Sequence, residues 1–166
     1  PVPRGEQTLG GVKFTIGPGS LQLGSGLLPT APERIEGIPV GKHVTRMYVL
    51  HGTQFSGPTH SVADGTAIGW YRVVYEDQTE QSIAIVAGED VRHWFADDSK
   101  PTTRGTKVWE GKNLLAKWLN SSVRLFASGW KNPHPEKRVA RIDYLAAGTQ
   151  AAPFCLAITI EEPVSK

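Results

Sequence analysis

Residues 67–76 decide the fold class, and they read Ala-Ile-Gly-Trp-Tyr-Arg-Val-Val-Tyr-Glu. In an extended chain Tyr71 and Val73 fall on one side, whereas Trp70 and Arg72 fall on the other. Alternation with a period of two, in residues that are mostly β-branched or aromatic, predicts a half-buried β-strand. The polar residues that follow predict a hairpin connection to a second strand.

The same kind of segment recurs along the chain. Strands are predicted at 12–16, 20–22, 34–38, 45–52, 67–76, 81–87, 107–109, 122–129, 138–146 and 154–161. Turn residues separate these segments, because the chain holds 18 glycines and 12 prolines. A helical pattern occurs only in a turn at 89–95 and in residues 113–119, whose leucines and Trp118 roughly follow a period of 3.6. Short strands with almost no helix predict an all-β fold, an antiparallel two-sheet β-sandwich.

Length and charge limit the domain organisation and the partners. A chain of 166 residues predicts one domain, here residues 8–161, after a linker-like or tag-like segment 1–7 and before a tail 162–166. The net charge of +2, with mixed signs and no run of lysine and arginine, argues against a nucleic-acid partner. No apolar stretch approaches the roughly 18 residues of a membrane helix, so we expect no membrane insertion.

The sequence contains no recognisable catalytic motif. The five histidines lack zinc-binding spacing, and neither a nucleophile elbow nor a phosphate-binding or dinucleotide-binding glycine loop occurs. The single cysteine, Cys155, excludes an internal disulfide and a thiolate metal cluster, and we expect it to be an inert small side chain rather than a nucleophile. We therefore expect a protein that is not an enzyme.

The five tryptophans are the best candidates for ligand contact. A flat indole stacks on the apolar face of a sugar ring, while its surroundings supply hydrogen bonds to the hydroxyls. Trp94 and Trp130 fall at strand ends or in loops, where binding residues concentrate, so we assign both to a ligand. We expect Trp109 and Trp118 to be packing residues, and Trp70 fits either role.

The segment 128–135, Ser-Gly-Trp-Lys-Asn-Pro-His-Pro, supplies polar partners for Trp130. Its two prolines stiffen the loop, so little entropy is lost when a ligand binds. Asn132 and His134 are therefore candidate ligand contacts. Alternatively the loop is a rigid crossover, in which Asn132 bonds to its own backbone in an Asx turn.

The segment 88–94, Gly-Glu-Asp-Val-Arg-His-Trp, places Arg92 beside Trp94 as a further polar contact, pointing outward. Asp90 either caps a single helical turn or, together with Glu89 and loop carbonyls, holds a structural calcium ion. Weaker calcium candidates of the same kind are Asp64, Asp97 and Asp98. The residues alone assign no metal ligand.

A rival ligand site lies on the amphipathic strand face opposite the core. This face is predicted to carry Trp70, Arg72, Arg124 and Asp143. A face of that composition is either solvated or a shallow recognition surface.

Several segments, taken in order, form a familiar set. They are Gly-Val-Lys-Phe-Thr-Ile at 11–16, Arg-Ile-Glu-Gly-Ile at 34–38, Met-Tyr-Val-Leu-His at 47–51, the 88–94 segment, Trp-Lys-Asn-Pro-His-Pro at 130–135, Ile-Asp-Tyr-Leu at 142–145 and Ala-Pro-Phe at 152–154. This order resembles the galactose-binding-like jelly-roll domains of bacteria, which accompany glycoside hydrolases and other polysaccharide-acting or surface proteins. The resemblance covers about residues 8–161, and its most specific piece is Trp-x-Asn-Pro-x-Pro running into Ile-Asp-Tyr.

The resemblance implies a jelly-roll sandwich without catalytic residues or a required cofactor, in which a structural calcium ion is possible. It implies a non-catalytic carbohydrate-binding module that tethers a larger polysaccharide-acting or surface protein to an oligosaccharide or polysaccharide. The expected location is secreted: extracellular, periplasmic or on the cell surface. The alternative is a protein-interaction or structural domain of a multidomain surface or regulatory protein.

Overall fold

The computed structural model describes residues 1–96 and 99–165. Within these residues the chain forms eleven strands and one short α-helix. The strands are β1 (Gly5–Leu9), β2 (Val12–Ile16), β3 (Leu21–Gln22), β4 (Arg34–His43), β5 (Arg46–Gln54), β6 (Ala67–Tyr75), β7 (Glu80–Val86), β8 (Thr106–Gly111), β9 (Val123–Lys131), β10 (Arg138–Ala146) and β11 (Ala152–Glu161). The helix α1 spans Leu114–Trp118, and a 3₁₀ turn lies at Pro58–His60.

Two antiparallel sheets stack on each other. One has four strands in the order β4-β10-β6-β7, and the other has five in the order β3-β11-β5-β9-β8. Every strand pair within them is antiparallel. The prediction of an all-β, antiparallel two-sheet sandwich is therefore confirmed, and the jelly-roll topology stays a prediction.

The main core lies between the two sheets and follows the alternation seen in the sequence. Tyr71, Val73 and Tyr75 on β6 are at most 1% exposed, whereas Trp70 and Arg72 are half-buried on the opposite face. Each aliphatic side chain buried in such a core stabilises the fold by roughly 1.5–3 kcal/mol. Cys155 is buried in this core, and burial raises the pKa of its thiol to about 11, which is consistent with the inert side chain that we expect.

A hairpin of β1 and β2 covers the outer face of the five-stranded sheet. Phe14 and Ile16 of β2 pack there against Leu50 and Phe154 in a second, smaller core. The sequence analysis leaves residues 1–7 outside the fold, but Gly5–Leu9 pairs with β2 along its whole length. The two-residue Gly10-Gly11 turn has positive φ at both positions, the geometry of a tight hairpin.

The predicted helix exists, but its apolar face does not enter the core. Asn113 caps α1, because its Oδ1 accepts a hydrogen bond of 2.7 Å from the Ala116 backbone N–H. Ala116 is the only buried residue of α1. Trp118 is 80% exposed, so the expectation that it packs is wrong, whereas Trp109 is partly buried against the second core as expected. Within the described residues, no helix is both long and apolar enough to span a bilayer.

Candidate functional site

The two tryptophans assigned to a ligand lie at opposite ends of β5. Trp130 on β9 pairs with Met47, whereas the Trp94 backbone N–H donates to the Thr53 carbonyl. Met47 and Thr53 are six positions apart along the strand, which corresponds to about 20 Å. One sugar ring therefore cannot contact both indoles, and the two belong to different surfaces.

Trp94 is mainly a packing residue. Its ring meets the Phe154 ring edge to face, with centroids 5.3 Å apart, in the second core. Its remaining surface borders a hollow that Gln22 and Gln54 also line. The Gln54 side-chain amide donates to the Gln22 Oε1 over 3.1 Å, so these two amides are engaged with each other.

Arg92 does not point outward as predicted. It is 9% exposed, and its two terminal nitrogens donate to the two carboxylate oxygens of Asp64 over 3.1 and 3.0 Å. Its Nε donates to the Pro101 carbonyl. This paired guanidinium joins two loops and borders a different hollow from those that Trp94 and Trp130 line, so the structure does not group Arg92 with these tryptophans.

Asn132 follows the Asx-turn alternative. It is 3% exposed, and its Oδ1 accepts from the Tyr75 hydroxyl over 2.6 Å and from the His134 backbone N–H over 2.9 Å. Its Nδ2 donates to the Val44 and His134 carbonyls. The amide is therefore used inside the protein, and we no longer assign Asn132 to a ligand. His134 packs edge-on against the Tyr75 ring and is part of the same loop structure.

Three of the four residues predicted for the rival face lie together, and the fourth, Arg124, does not. Trp70 and Arg72 share the outer face of the four-stranded sheet with Asp143, as predicted. Arg124 instead lies on β9 of the other sheet, 3% exposed, where its Nε donates to the His93 carbonyl. Sequence alternation cannot tell which of two sheets a strand joins, and this is why Arg124 was grouped wrongly.

A cleft with a volume of about 320 Å³ lies between the two sheets, and we call it the inter-sheet cleft. It opens beside β7, which is the edge of the four-stranded sheet. On the other side β8 pairs with β9 only as far as Ala127, so Ser128–Lys131 has no strand neighbour there within the described residues. Its lining residues are Met47, Val49, His51, Tyr71, 82–86, Asp90, Arg104 and 128–130.

Three hydrogen-bonded side chains form the polar floor of the cleft. The His51 Nδ1 lies 3.0 Å from the Tyr71 hydroxyl, and its Nε2 lies 3.0 Å from the Ser128 Oγ. His51 is 1% exposed, and burial lowers the pKa of its imidazole from 6.5 to about 4 even though the charge of Asp90 raises it. The imidazole is therefore neutral at neutral pH and fixes the positions of both hydroxyls.

An ion pair borders the mouth of the cleft. Arg104 donates from Nε and Nη2 to the two carboxylate oxygens of Asp90, over 2.7 and 2.6 Å. Asp90 also accepts from the Val86 backbone N–H at the end of β7. The expected helical turn at 89–95 does not form, because residues 88–90 make a tight turn and Val91 bridges back to Ala87.

His51, Tyr71 and Ser128 were not predicted to form a group. The burial of His51 was predictable, because in an extended strand His51 falls on the same face as the apolar Met47 and Val49. The pairing of β5 with β9 and the stacking over β6 are not readable from one sequence, so the convergence of the three side chains could not be predicted.

Gly105 holds the loop that carries Arg104 against the Asp90 backbone. A Cβ at this position would lie 2.1 Å from the Asp90 carbonyl oxygen, so the loop must move. We expect Gly105→Ala to lower the free energy of unfolding by about 2 kcal/mol, measured by urea denaturation. Gly19→Ala is the control, because a Cβ there meets nothing. Equal stability of the two variants would contradict this assignment.

The described candidate calcium ligands Asp64 and Asp90 bind arginine side chains. Asp97 and Asp98 lie outside the described residues. Among residues 1–96 and 99–165, no group of three or more histidine, cysteine, aspartate or glutamate side chains is placed to hold a metal ion. The structural calcium ion stays a prediction from the resemblance.

Comparisons with protein-family models, with curated proteins and with solved structures find no match to the chain.

Proposed function

We propose that this protein is a non-catalytic carbohydrate-binding module and that the inter-sheet cleft is its binding site. The observation that carries the proposal is the position of the half-buried Trp130 indole beside the His51–Ser128–Tyr71 floor. An apolar ring wall next to a few fixed hydroxyl and imidazole groups is the chemistry that a pyranose needs. The volume of about 320 Å³ is at the lower end of small-ligand sites, which favours one or two sugar rings.

The apolar wall and the polar floor contact different faces of a sugar. Met47, Val49 and Trp130 line the cleft from the five-stranded sheet and suit the C–H face of the ring. The Ser128 hydroxyl has one donor and two acceptor positions, and the contact with His51 uses only one of them. The remaining positions are available to a sugar hydroxyl.

The charges at the mouth favour a neutral sugar over a charged one. The carboxylate of Asp90 is neutralised by Arg104, and Glu89 lies 3.8 Å from the same guanidinium. One guanidinium therefore faces two carboxylates, so the mouth offers no surplus positive charge to an acidic sugar. We therefore propose a neutral, hydroxyl-rich glycan as the ligand class.

The same floor supports a binding role rather than a catalytic one. Ser128 and His51 are in contact like a nucleophile and its base. However, burial lowers the pKa of His51 to about 4, so its imidazole is a weak base at neutral pH. Tyr71 stands where a carboxylate would be needed to raise that basicity.

In this proposal the domain has the jelly-roll topology that the resemblance implies. It tethers a larger bacterial polysaccharide-acting or surface protein to its glycan outside the cytoplasm. A shallow site of this kind binds in the micromolar to millimolar range, about 4–8 kcal/mol, so tight attachment needs several modules or several sites on one polymer.

Affinity electrophoresis against soluble neutral polysaccharides (galactan, xylan, mannan and mixed-linkage glucan) tests the proposal. We expect one of them to retard the wild-type protein, and Trp130→Ala to weaken binding at least about tenfold through the lost stacking. Trp118→Ala is the matched control, because its indole is exposed and remote from the cleft. Absence of retardation by any glycan would favour the protein-interaction alternative, and release of reducing ends would point to an enzyme.

A further inference from the structure

The helix α1 and the residue after it expose four large apolar side chains together. Leu114 is 86% exposed, Leu115 51%, Trp118 80% and Leu119 50%. We call residues 112–119 the α1 knob. Apolar patches of this kind on a folded surface mark interaction sites more often than chance.

The knob is held rigidly, so its exposure is a property of the fold. Ala116 is fully buried beneath it, and Asn113 caps its first turn. At the other end the Ser121 backbone N–H donates to the Ala116 carbonyl over 2.8 Å. The four apolar side chains are therefore presented outward by a fixed base.

The charges around the knob are positive. Lys112 and Lys117 belong to it, and residues 111–120 contain no aspartate or glutamate. Arg4 lines the adjoining hollow together with Leu115. The nearest acidic residue in sequence, Glu110, is paired with Lys107 over 2.6 Å. An apolar tip with a cationic rim is complementary to an anionic surface.

The size of the knob argues against a protein partner. Four side chains with this exposure present on the order of 500 Å². Each partner in a stable protein–protein interface buries roughly 800 Å². A lipid surface requires no matching shape and accepts a small apolar protrusion flanked by lysines, whose ammonium groups reach the phosphates.

We propose that the α1 knob docks this protein onto an anionic lipid bilayer. The leucines and Trp118 enter the boundary between headgroups and acyl chains, and Lys112 and Lys117 contact the phosphates. This docking lies on the membrane and does not span it. The sequence expectation of no membrane insertion considered only long apolar segments, and a surface knob needs none.

Docking in this way leaves the inter-sheet cleft accessible. Leu115 borders the same hollow as Trp94, which lies at the Thr53 end of β5. Trp130 lies at the Met47 end, about 20 Å away along the strand. The membrane site and the glycan site are thus separate, so an experiment can contradict one proposal and leave the other intact.

Vesicle flotation of the full chain tests the proposal, using phosphatidylcholine alone and phosphatidylcholine with an equal amount of phosphatidylserine. We expect binding to the mixed vesicles, reduced at least about tenfold by the double change Leu114→Ser and Trp118→Ala. We also expect loss of binding in high salt and in the double variant Lys112→Glu and Lys117→Glu.

Trp130→Ala is the matched control and should float like the wild type, while thermal unfolding checks that each variant is folded. Three results would overturn the proposal: no flotation with either vesicle, equal flotation with both, or flotation that the knob variants leave unchanged. A dimer in solution that Trp118→Ala dissociates would also overturn it, because the knob would then bind a second copy.

Discussion

Replacing Asp143 with alanine should lower the free energy of unfolding by about 3 kcal/mol. Asp143 is fully buried on the outer side of β10. Its oxygens accept from Arg72 Nε and Nη2 over 3.1 and 2.8 Å, from the Gly37 backbone N–H over 2.8 Å and from Arg141 Nε over 3.3 Å. Alanine removes the acceptor of the Gly37 backbone N–H and of the Arg72 Nε, and it leaves Arg72 Nη2 with only the half-exposed Glu36.

Glu36→Ala is the matched control, because Glu36 pairs with the same Arg72 but is half exposed. An exposed pair contributes little, so we expect a change within about 0.5 kcal/mol. Urea denaturation of both variants measures the difference. Equal stabilities would contradict the view that Asp143 organises this face.

Because of the Asp143 carboxylate, we also expect strong acid to lower the stability of the fold. Burial raises the pKa of Asp143, but the hydrogen bonds from Gly37 and Arg72 and the charges of Arg141 and Arg72 outweigh it, so the pKa is below 3.8. The folded state therefore holds this proton less tightly than the unfolded state. Its contribution is present above pH 3.8 and is lost as the pH falls through the lowered value.

Acidification from pH 6.5 to pH 4 should cost the protein about 3 kcal/mol through His51. The unfolded chain binds a proton on this imidazole near pH 6.5, whereas in the folded state burial lowers its pKa to about 4. One pKa unit corresponds to about 1.4 kcal/mol. The contribution is complete above pH 6.5 and is lost progressively down to pH 4, because over that range only the unfolded state is protonated.

Unfolding free energies measured across this pH range test the prediction for His51. His51→Gln should flatten the dependence. The NMR titration of the His51 imidazole gives a second measurement in the unmodified protein. A midpoint near 6.5 would contradict the buried, neutral imidazole on which the binding floor depends.

Much of the fold was predictable because burial follows alternation. From Trp70 to Val73 the chain alternates between half-buried and fully buried side chains, and patterns of this kind predicted both the strands and the sandwich. The Gly10-Gly11 pair is typical of a hairpin turn. We did not predict β1 because the residues before this turn resemble a tag. In α1 the periodicity predicted the helix correctly. The sequence pattern did not reveal that its leucines and Trp118 are exposed to solvent.

The candidate site was less predictable because it depends on which strands meet. The residue type of Trp130 and its place near a loop made it a candidate, and the structure places it in the lining of the inter-sheet cleft. The contact between His51 and Ser128 joins residues 77 positions apart, across neighbouring strands. Asn132 and Arg92 resemble ligand residues in the sequence, yet the fold uses the amide of one and the guanidinium of the other internally.

The most direct test of the proposed function is an NMR titration of the five tryptophan indole N–H signals with the polysaccharide that gives the strongest retardation. Single tryptophan-to-phenylalanine variants assign the signals. If the inter-sheet cleft is the glycan site, the Trp130 signal shifts on saturation, whereas the signals of Trp94 and Trp118 do not. A shift of Trp94 or Trp118 with Trp130 unchanged would contradict it.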